Sequence, residues 1–226
     1  MYKVKKLEGP FFNFHNKPRK LIFLLHGYGD NAENFLPIAE YLNDIDLIIN
    51  YYVPNAPFSV TEYPTGKQWF DPYPKGNHYS NANEEQKKTM EEECKFSINK
   101  LQEYIDNISS KNNLNTNDCF LIGFSQGAMI AYELGKLINK TFAGCVMLSG
   151  RILTPNKKEN HLFIKTPLLI VHGDKDEIVD PKYYDEACKI AKSRGFSYEN
   201  YLLKGEGHTI SPKMIEIVKK FIKKYV

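Results

Sequence analysis

The chain is predicted to fold as an α/β protein, with one mainly parallel sheet and helices on both faces. Apolar runs without polar alternation recur along it, which suits strands covered on both sides. Segments with helical spacing separate those runs, and strand-helix alternation is the pattern of a parallel sheet. One junction is a glycine-flanked turn, Gly123-Phe124-Ser125-Gln126-Gly127, between an apolar run and an amphipathic one.

Taken in order, residues 21–25, 47–53, 119–122, 144–148 and 168–171 read as buried strands, and 198–203 as a last strand. Between them, 34–42, about 84–108, 129–138 and 181–194 carry helical spacing. In the long segment Met90, Cys94, Ile98, Leu101, Ile105 and Ile108 recur at three- and four-residue steps, on one helical face. Asp180-Pro181 and Ser211-Pro212 each set a capping side chain before a proline at a first helical position. The stretch 54–83 is rich in Pro, Gly and Asn and carries Phe58, Tyr63, Trp69, Phe70, Tyr73 and Tyr79. A long loop of this kind is usually functional, and its rings suggest a cover over an apolar pocket. The alternative is a loop packed onto the surface by its own rings.

With 226 residues the chain fits one domain spanning 1–226. A hydrophobic fraction of 42% with 25% charge is ordinary for a globular protein, and a net charge of +3 is too small for a nucleic-acid footprint. Lys219, Lys220, Lys223 and Lys224 lie on the helical face opposite Met214, Ile217, Val218, Phe221 and Ile222, a solvated outer surface rather than a membrane patch. The apolar run 21–25 is too short to span a bilayer and no cleavage site follows it, so no membrane insertion and a cytoplasmic location are expected. Cys94, Cys119, Cys145 and Cys188 have neither metal-ligand nor disulfide-scaffold spacing and read as free thiols.

A Gly-x-Ser-x-Gly turn between strand and helix is the context of a nucleophile elbow: the sharp turn forces the serine outward, and the helix N-terminus aims free N–H groups at whatever it attacks. Such a serine needs a histidine as base, and that histidine needs a carboxylate to fix its tautomer. The chain offers the order Ser…Asp…His of the α/β-hydrolase fold. His208, in Gly205-Glu206-Gly207-His208 between the last strand and the last helix, is the candidate base. His26 and His172 precede that position in the order and read as loop-shaping residues; His15, His78 and His161 lie in polar segments and read as surface residues. Among the carboxylates of 174–180, Asp176 is the candidate acid, because Asp174 stands too close to the strand end and Asp180 caps the following helix. The oxyanion donors are expected to be the N–H of Gln126 and that of Tyr28, in the glycine-bearing loop 25–30.

These segments, His26-Gly27-Tyr28-Gly29-Asp30, Gly123 to Ala128, Leu148-Ser149-Gly150, His172-Gly173-Asp174-Lys175-Asp176 and Gly207-His208, together resemble the phospholipase/carboxylesterase family, which includes acyl-protein thioesterases and small carboxylesterases. The match runs in order over nearly the whole chain, and Gln68-Trp69-Phe70-Asp71 resembles the family's Trp-Phe pocket loop. The resemblance implies a triad of Ser125, Asp176 and His208, oxyanion donors at Tyr28 and Gln126, and substrate contacts from Trp69 and Phe70. One departure bears on the acid: the family's Val-Pro is here Val179-Asp180-Pro181, which shifts the helix start.

The expected activity is hydrolysis of carboxylic esters, or thioesters, of short to medium acyl chains through an acyl-enzyme, with lysophospholipase or acyl-protein thioesterase as the alternative. A peptidase or a non-catalytic lipid-binding protein ranks lower. No metal-site motif such as His-Glu-x-x-His occurs, and no cofactor is called for. The expected partner is a small ester or an acylated substrate, with a homodimer left open.

Overall fold

The apolar runs form strands buried on both faces. The computed structural model describes residues 4–44, 46–74 and 82–226. In chain order the strands are β1 (Phe11–Phe12), β2 (Lys20–Leu25), β3 (Ile49–Tyr52), β4 (Phe58–Ser59), β5 (Lys67–Gln68), β6 (Cys119–Phe124), β7 (Gly144–Leu148), β8 (Leu168–Gly173) and β9 (Tyr198–Leu203). The helices are α1 (Ala32–Phe35), α2 (Pro37–Leu42), α3 (Glu84–Lys111), α4 (Gln126–Leu137), α5 (Lys182–Arg194) and α6 (Pro212–Tyr225). The main sheet has the order β1-β3-β2-β6-β7-β8-β9. Its strands run parallel except β1, which pairs antiparallel with β3.

Because successive strand residues point to opposite faces, each strand serves two layers. Phe23, Leu121 and Met147 pack with Ile98 and Leu101 of α3, Ile130 of α4 and Ala187 of α5. Leu24, Ile122 and Val146 pack with Phe35 of α1, Leu42 of α2 and Phe221 of α6. This three-layer α/β sandwich is the α/β-hydrolase architecture expected above. In α6, Met214, Val218, Phe221 and Ile222 are buried while Lys223 and Lys224 pair with Asp44 and Glu199. At about 1.5–3 kcal/mol for each large apolar side chain removed from water, that face docks the helix firmly. The loop bearing His208 is therefore held at both ends, by β9 and by α6.

Several boundaries differ from expectation. The segment 34–42 is two short helices, since Pro37 has no N–H to give to the turn before it and its ring crowds that turn's carbonyl. The loop 54–83 holds a hairpin, with Phe58 opposite Gln68 and Ser59 opposite Lys67; Tyr79 and His78 lie outside the described residues. α3 runs on to Lys111 and starts from a capping box between Asn83 and Gln86. α5 starts at Lys182, one residue late: the Asp180 carboxylate accepts the Lys182 N–H at 2.8 Å, but Pro181 occupies the cap position. Ser211 caps α6 as expected, accepting from Met214 N–H at 3.2 Å. His15, expected at the surface, is half-buried, its Nε2 lying 3.1 Å from Leu47 O. Among the described residues no helix is long and apolar enough to cross a membrane.

Candidate active site

β6 ends at Phe124 and α4 begins at Gln126, so Ser125 alone makes the turn, at φ 53° and ψ −118°. That conformation is costly for a residue with a Cβ and persists only where its surroundings enforce it. Ser125 N–H donates to Leu148 O of the neighbouring strand at 2.8 Å, and Ser125 O accepts from Ala128 and Met129 N–H at 3.1 and 3.2 Å. The flanking glycines are steric necessities: a Cβ on Gly123 would stand 2.3 Å from the Gly127 carbonyl carbon, and one on Gly127 would stand 2.1 Å from Leu25 O. Behind the elbow, Asn160 Nδ2 reaches Gly135, Lys136 and Ile138 carbonyls at 3.0, 3.0 and 2.7 Å and closes the far end of α4.

Two strands away, β8 ends in the loop that carries Asp176. Asp176 Oδ1 accepts the N–H groups of Ile178 and Val179 at 2.9 and 2.8 Å, and Oδ2 lies 2.8 Å from His208 Nδ1. The Asp176 side chain is fully buried and that of His208 is 16% exposed, so the pair is shielded on the acid side and open on the other. The His208 ring lies against that of Phe124, centroids 4.8 Å apart, which brings it beside the elbow. Asp174 plays another part: its Oδ1 accepts Gly205 N–H at 2.6 Å, bracing the start of the His208 loop.

On the other side of Ser125, a Cβ built on Gly27 would stand 3.4 Å from Ser125 Cβ, so the backbone leading to Tyr28 passes directly against the serine. Gly29 N–H donates to Lys67 O at 2.9 Å and Lys67 N–H to Asp30 O at 2.7 Å, pinning this loop to the hairpin. Gln126 is the first residue of α4, and the leading N–H groups of a helix have no intrahelical acceptor. The Tyr28 ring stands edge-on to Tyr73, centroids 5.8 Å apart. Burial first, then the nearby Glu62 and Asp71 carboxylates, push its phenol up to about 12.

The hydrogen bonds of His26 fix its tautomer. Nε2 accepts Ala56 N–H at 3.1 Å, so Nδ1 carries the proton and donates to Gly27 O at 2.8 Å. Burial holds this imidazole below its usual range. The ring shapes the Tyr28 loop, which is the role expected of it.

Trp69 and Phe70, expected to contact substrate, both lie in the interior. Trp69 is fully buried and Phe70 is 2% exposed, so neither presents a ring to an open groove. The indole N–H of Trp69 donates to His26 O at 3.0 Å, and its backbone carbonyl accepts the Ser97 hydroxyl of α3. The Gln126 side chain completes the fastening, with Oε1 accepting Trp69 N–H at 2.8 Å and Nε2 donating to Phe70 O at 2.8 Å. Phe58 packs on Phe96 of α3. Of the loop's other rings, Tyr63 and Tyr73 are 53% and 45% exposed. The structure adds one contact that the sequence reading did not single out, that of the Gln126 carboxamide. Gln126 is buried in the structure, and nothing in the sequence marked its side chain as such.

With fold and site in view, comparison with known proteins gives a consistent picture. The family model described as Phospholipase/Carboxylesterase matches residues 13–226. The chain is 28% identical over 209 residues to acyl-protein thioesterase 1 homolog 1 of Dictyostelium discoideum, covering 90% of this chain and 89% of that one. It is 28% identical over 218 residues to acyl-protein thioesterase 1 of Candida albicans, covering 91% of each. Among solved structures, that of esterase PE8 superposes with a TM-score of 0.85 at 25% identity, over 98% of this chain and 100% of the other. That of SOBER1 from Arabidopsis thaliana does so with a TM-score of 0.75 at 25% identity, over 92% and 99%. A model that matches the chain from residue 13 to its last residue, on a fold shared with an esterase, makes this protein a member of the phospholipase/carboxylesterase family.

Proposed function

We propose that the protein hydrolyses carboxylic esters or thioesters of short to medium acyl chains through an acyl-enzyme on Ser125. The observation that carries this reading is the 2.8 Å pairing of Asp176 Oδ2 with His208 Nδ1 beside a serine held at φ 53° on a helix N-terminus. Asp176 can only accept, so His208 keeps its proton on Nδ1 and offers the Nε2 lone pair outward. Nε2 takes the Ser125 proton as Oγ bonds to the acyl carbon, and the carbonyl oxygen gains the negative charge. Gln126 and Tyr28 N–H groups stabilise that oxyanion, as the approach of the 27–28 backbone to Ser125 supports. Collapse breaks the bond to the alcohol or thiol, which leaves with the proton from His208. Water then attacks the acyl-enzyme, giving its proton to His208 and regenerating Ser125 as the acid departs.

The thioester branch is supported by the acyl-protein thioesterase names of the relatives. Steady-state assays on nitrophenyl esters of increasing acyl length, alongside an S-acylated peptide, test both branches. Turnover that vanishes in Ser125→Ala is expected. Turnover that survives that substitution would overturn the acyl-enzyme.

A further inference from the structure

The acid has a second histidine against it. His172, 1% exposed in β8, directs Nε2 at Val179 O, 2.8 Å away, and the same nitrogen lies 3.3 Å from Asp176 Oδ2. A carbonyl can only accept, so Nε2 carries a proton and donates it to Val179 O, with the Asp176 carboxylate packed beside the same edge of the ring. Val179 is thus engaged twice: its N–H holds Asp176 Oδ1 and its carbonyl holds His172. The ring closes the acid loop on itself and touches the carboxylate in doing so. We infer that His172 is a positioning residue, whose Nε2–H bond to Val179 O, with the ring held against Asp176 Oδ2, fixes the carboxylate at the angle where it pairs with His208. This rests on the acid–base reading of Asp176 and His208 above.

The titratable groups facing the ring are Asp176 and Asp180 of its own loop, His208 of the loop after β9, and Tyr184 of α5, with ring centroids 6.4 Å apart. Burial holds His172 below its usual range, so near neutral pH it is an uncharged donor rather than a rival cation. Removing it frees the loop at Val179 and lets the carboxylate turn: the 2.8 Å bond ends on the residue whose N–H holds Oδ1, so its loss loosens the Asp176–His208 hydrogen bond.

The test compares His172→Leu, which keeps volume without a donor, with His172→Gln, whose amide N–H has a similar reach. The downfield Nδ1–H resonance of His208 is followed by NMR, and kcat and KM are measured on nitrophenyl acetate. In the Leu variant that resonance should move upfield or be lost to exchange, and kcat should fall about tenfold with KM little changed. The Gln variant should recover most of both. If the Leu chain does not fold, His172→Asn, too short to reach Val179 O, takes its place. A drop in melting temperature with the resonance unmoved would make His172 a structural brace only and overturn the inference. The NMR readout needs no turnover: an altered resonance in a protein that cleaves no ester would keep the positioning role and sink the proposed function, whereas active enzyme with an unmoved resonance would do the reverse.

Discussion

Gln126 and Trp69 are locked together: the Gln126 carboxamide accepts the Trp69 N–H through Oε1 and donates to the next carbonyl, that of Phe70, through Nε2, both at 2.8 Å. The residue that follows Ser125 thus fastens the aromatic loop to the elbow, and it does so with its side chain while its backbone N–H remains at the helix N-terminus. Gln126→Ala would strand a buried N–H and a buried carbonyl, each costing about 1–3 kcal/mol. It should lower the melting temperature markedly. It should also lower kcat, because the loop that pins Tyr28 is loosened. Thermal melts and steady-state kinetics check both, and a variant as stable as the parent would deny the clamp.

Trp69→Ala follows from the same geometry. A fully buried ring whose N–H is used internally loses packing when truncated, at about 3–5 kcal/mol, rather than contact with a substrate. The defect in kcat/KM should therefore be the same factor for acetate and octanoate esters. A loss that grows with acyl length would mean that the ring meets the acyl chain after all.

How far the molecule could be read from its residues varies with the kind of force involved. The elbow was legible because Gly123 and Gly127 are dictated by backbone collisions, and such constraints leave few residue choices. The central strands were legible because burial on both faces forbids polar alternation. The two-residue strands β1, β4 and β5 were not, since two residues carry no period. The break at Leu36-Pro37 was written in the proline, but the apolar spacing around it hid the signal. The burial of Trp69 was hidden for a different reason: an aromatic ring in a Gly/Pro-rich loop has the same composition whether it faces a ligand or anchors the loop. The Asp176–His208 pairing could be named from chain order and residue type; the His172 contact could not, because the path of a loop decides it.

Within that loop the carboxylates should separate sharply. Asp176→Asn keeps the shape but offers an N–H or a neutral oxygen to His208, disfavouring the working tautomer, and kcat should fall by about three to four orders of magnitude. Asp174→Asn retains an oxygen for Gly205 N–H and should cost about tenfold or less, through the His208 loop alone. The reverse ranking in steady-state kinetics would move the acid to Asp174.

The elbow also makes a stability prediction. Ser125→Ala removes a hydroxyl but not the strained backbone, so the fold should survive with a melting temperature near that of the parent, while turnover falls to the small residual supplied by the oxyanion donors. Mass spectrometry after exposure to a fluorophosphonate should show one adduct on the parent and none on the variant. An adduct on the variant would place the nucleophile elsewhere.

Acid should weaken the protein through its buried histidines. The folded state holds His26 and His172 below their usual value of 6.5, chiefly by burial, whereas the unfolded chain protonates them at that value. The unfolded state then binds more protons, so stability rises with pH across the window between the folded and unfolded values. Their contribution is fully present above pH 6.5 and is lost as pH falls through the lowered folded values. For His26 the cause is specific: protonating Nε2 turns it from acceptor into donor and sets it against the Ala56 N–H that it now receives. Melting temperatures recorded from pH 8 downward should therefore begin to fall near pH 6.5, earlier than carboxylate titration alone would produce. Replacing His26 by Gln, whose amide oxygen can still accept from Ala56 but does not titrate, should flatten the first part of that fall. If the parent and the Gln variant lose stability in parallel from pH 8 to pH 5, His26 does not carry the linkage and its neutral, buried role is wrong.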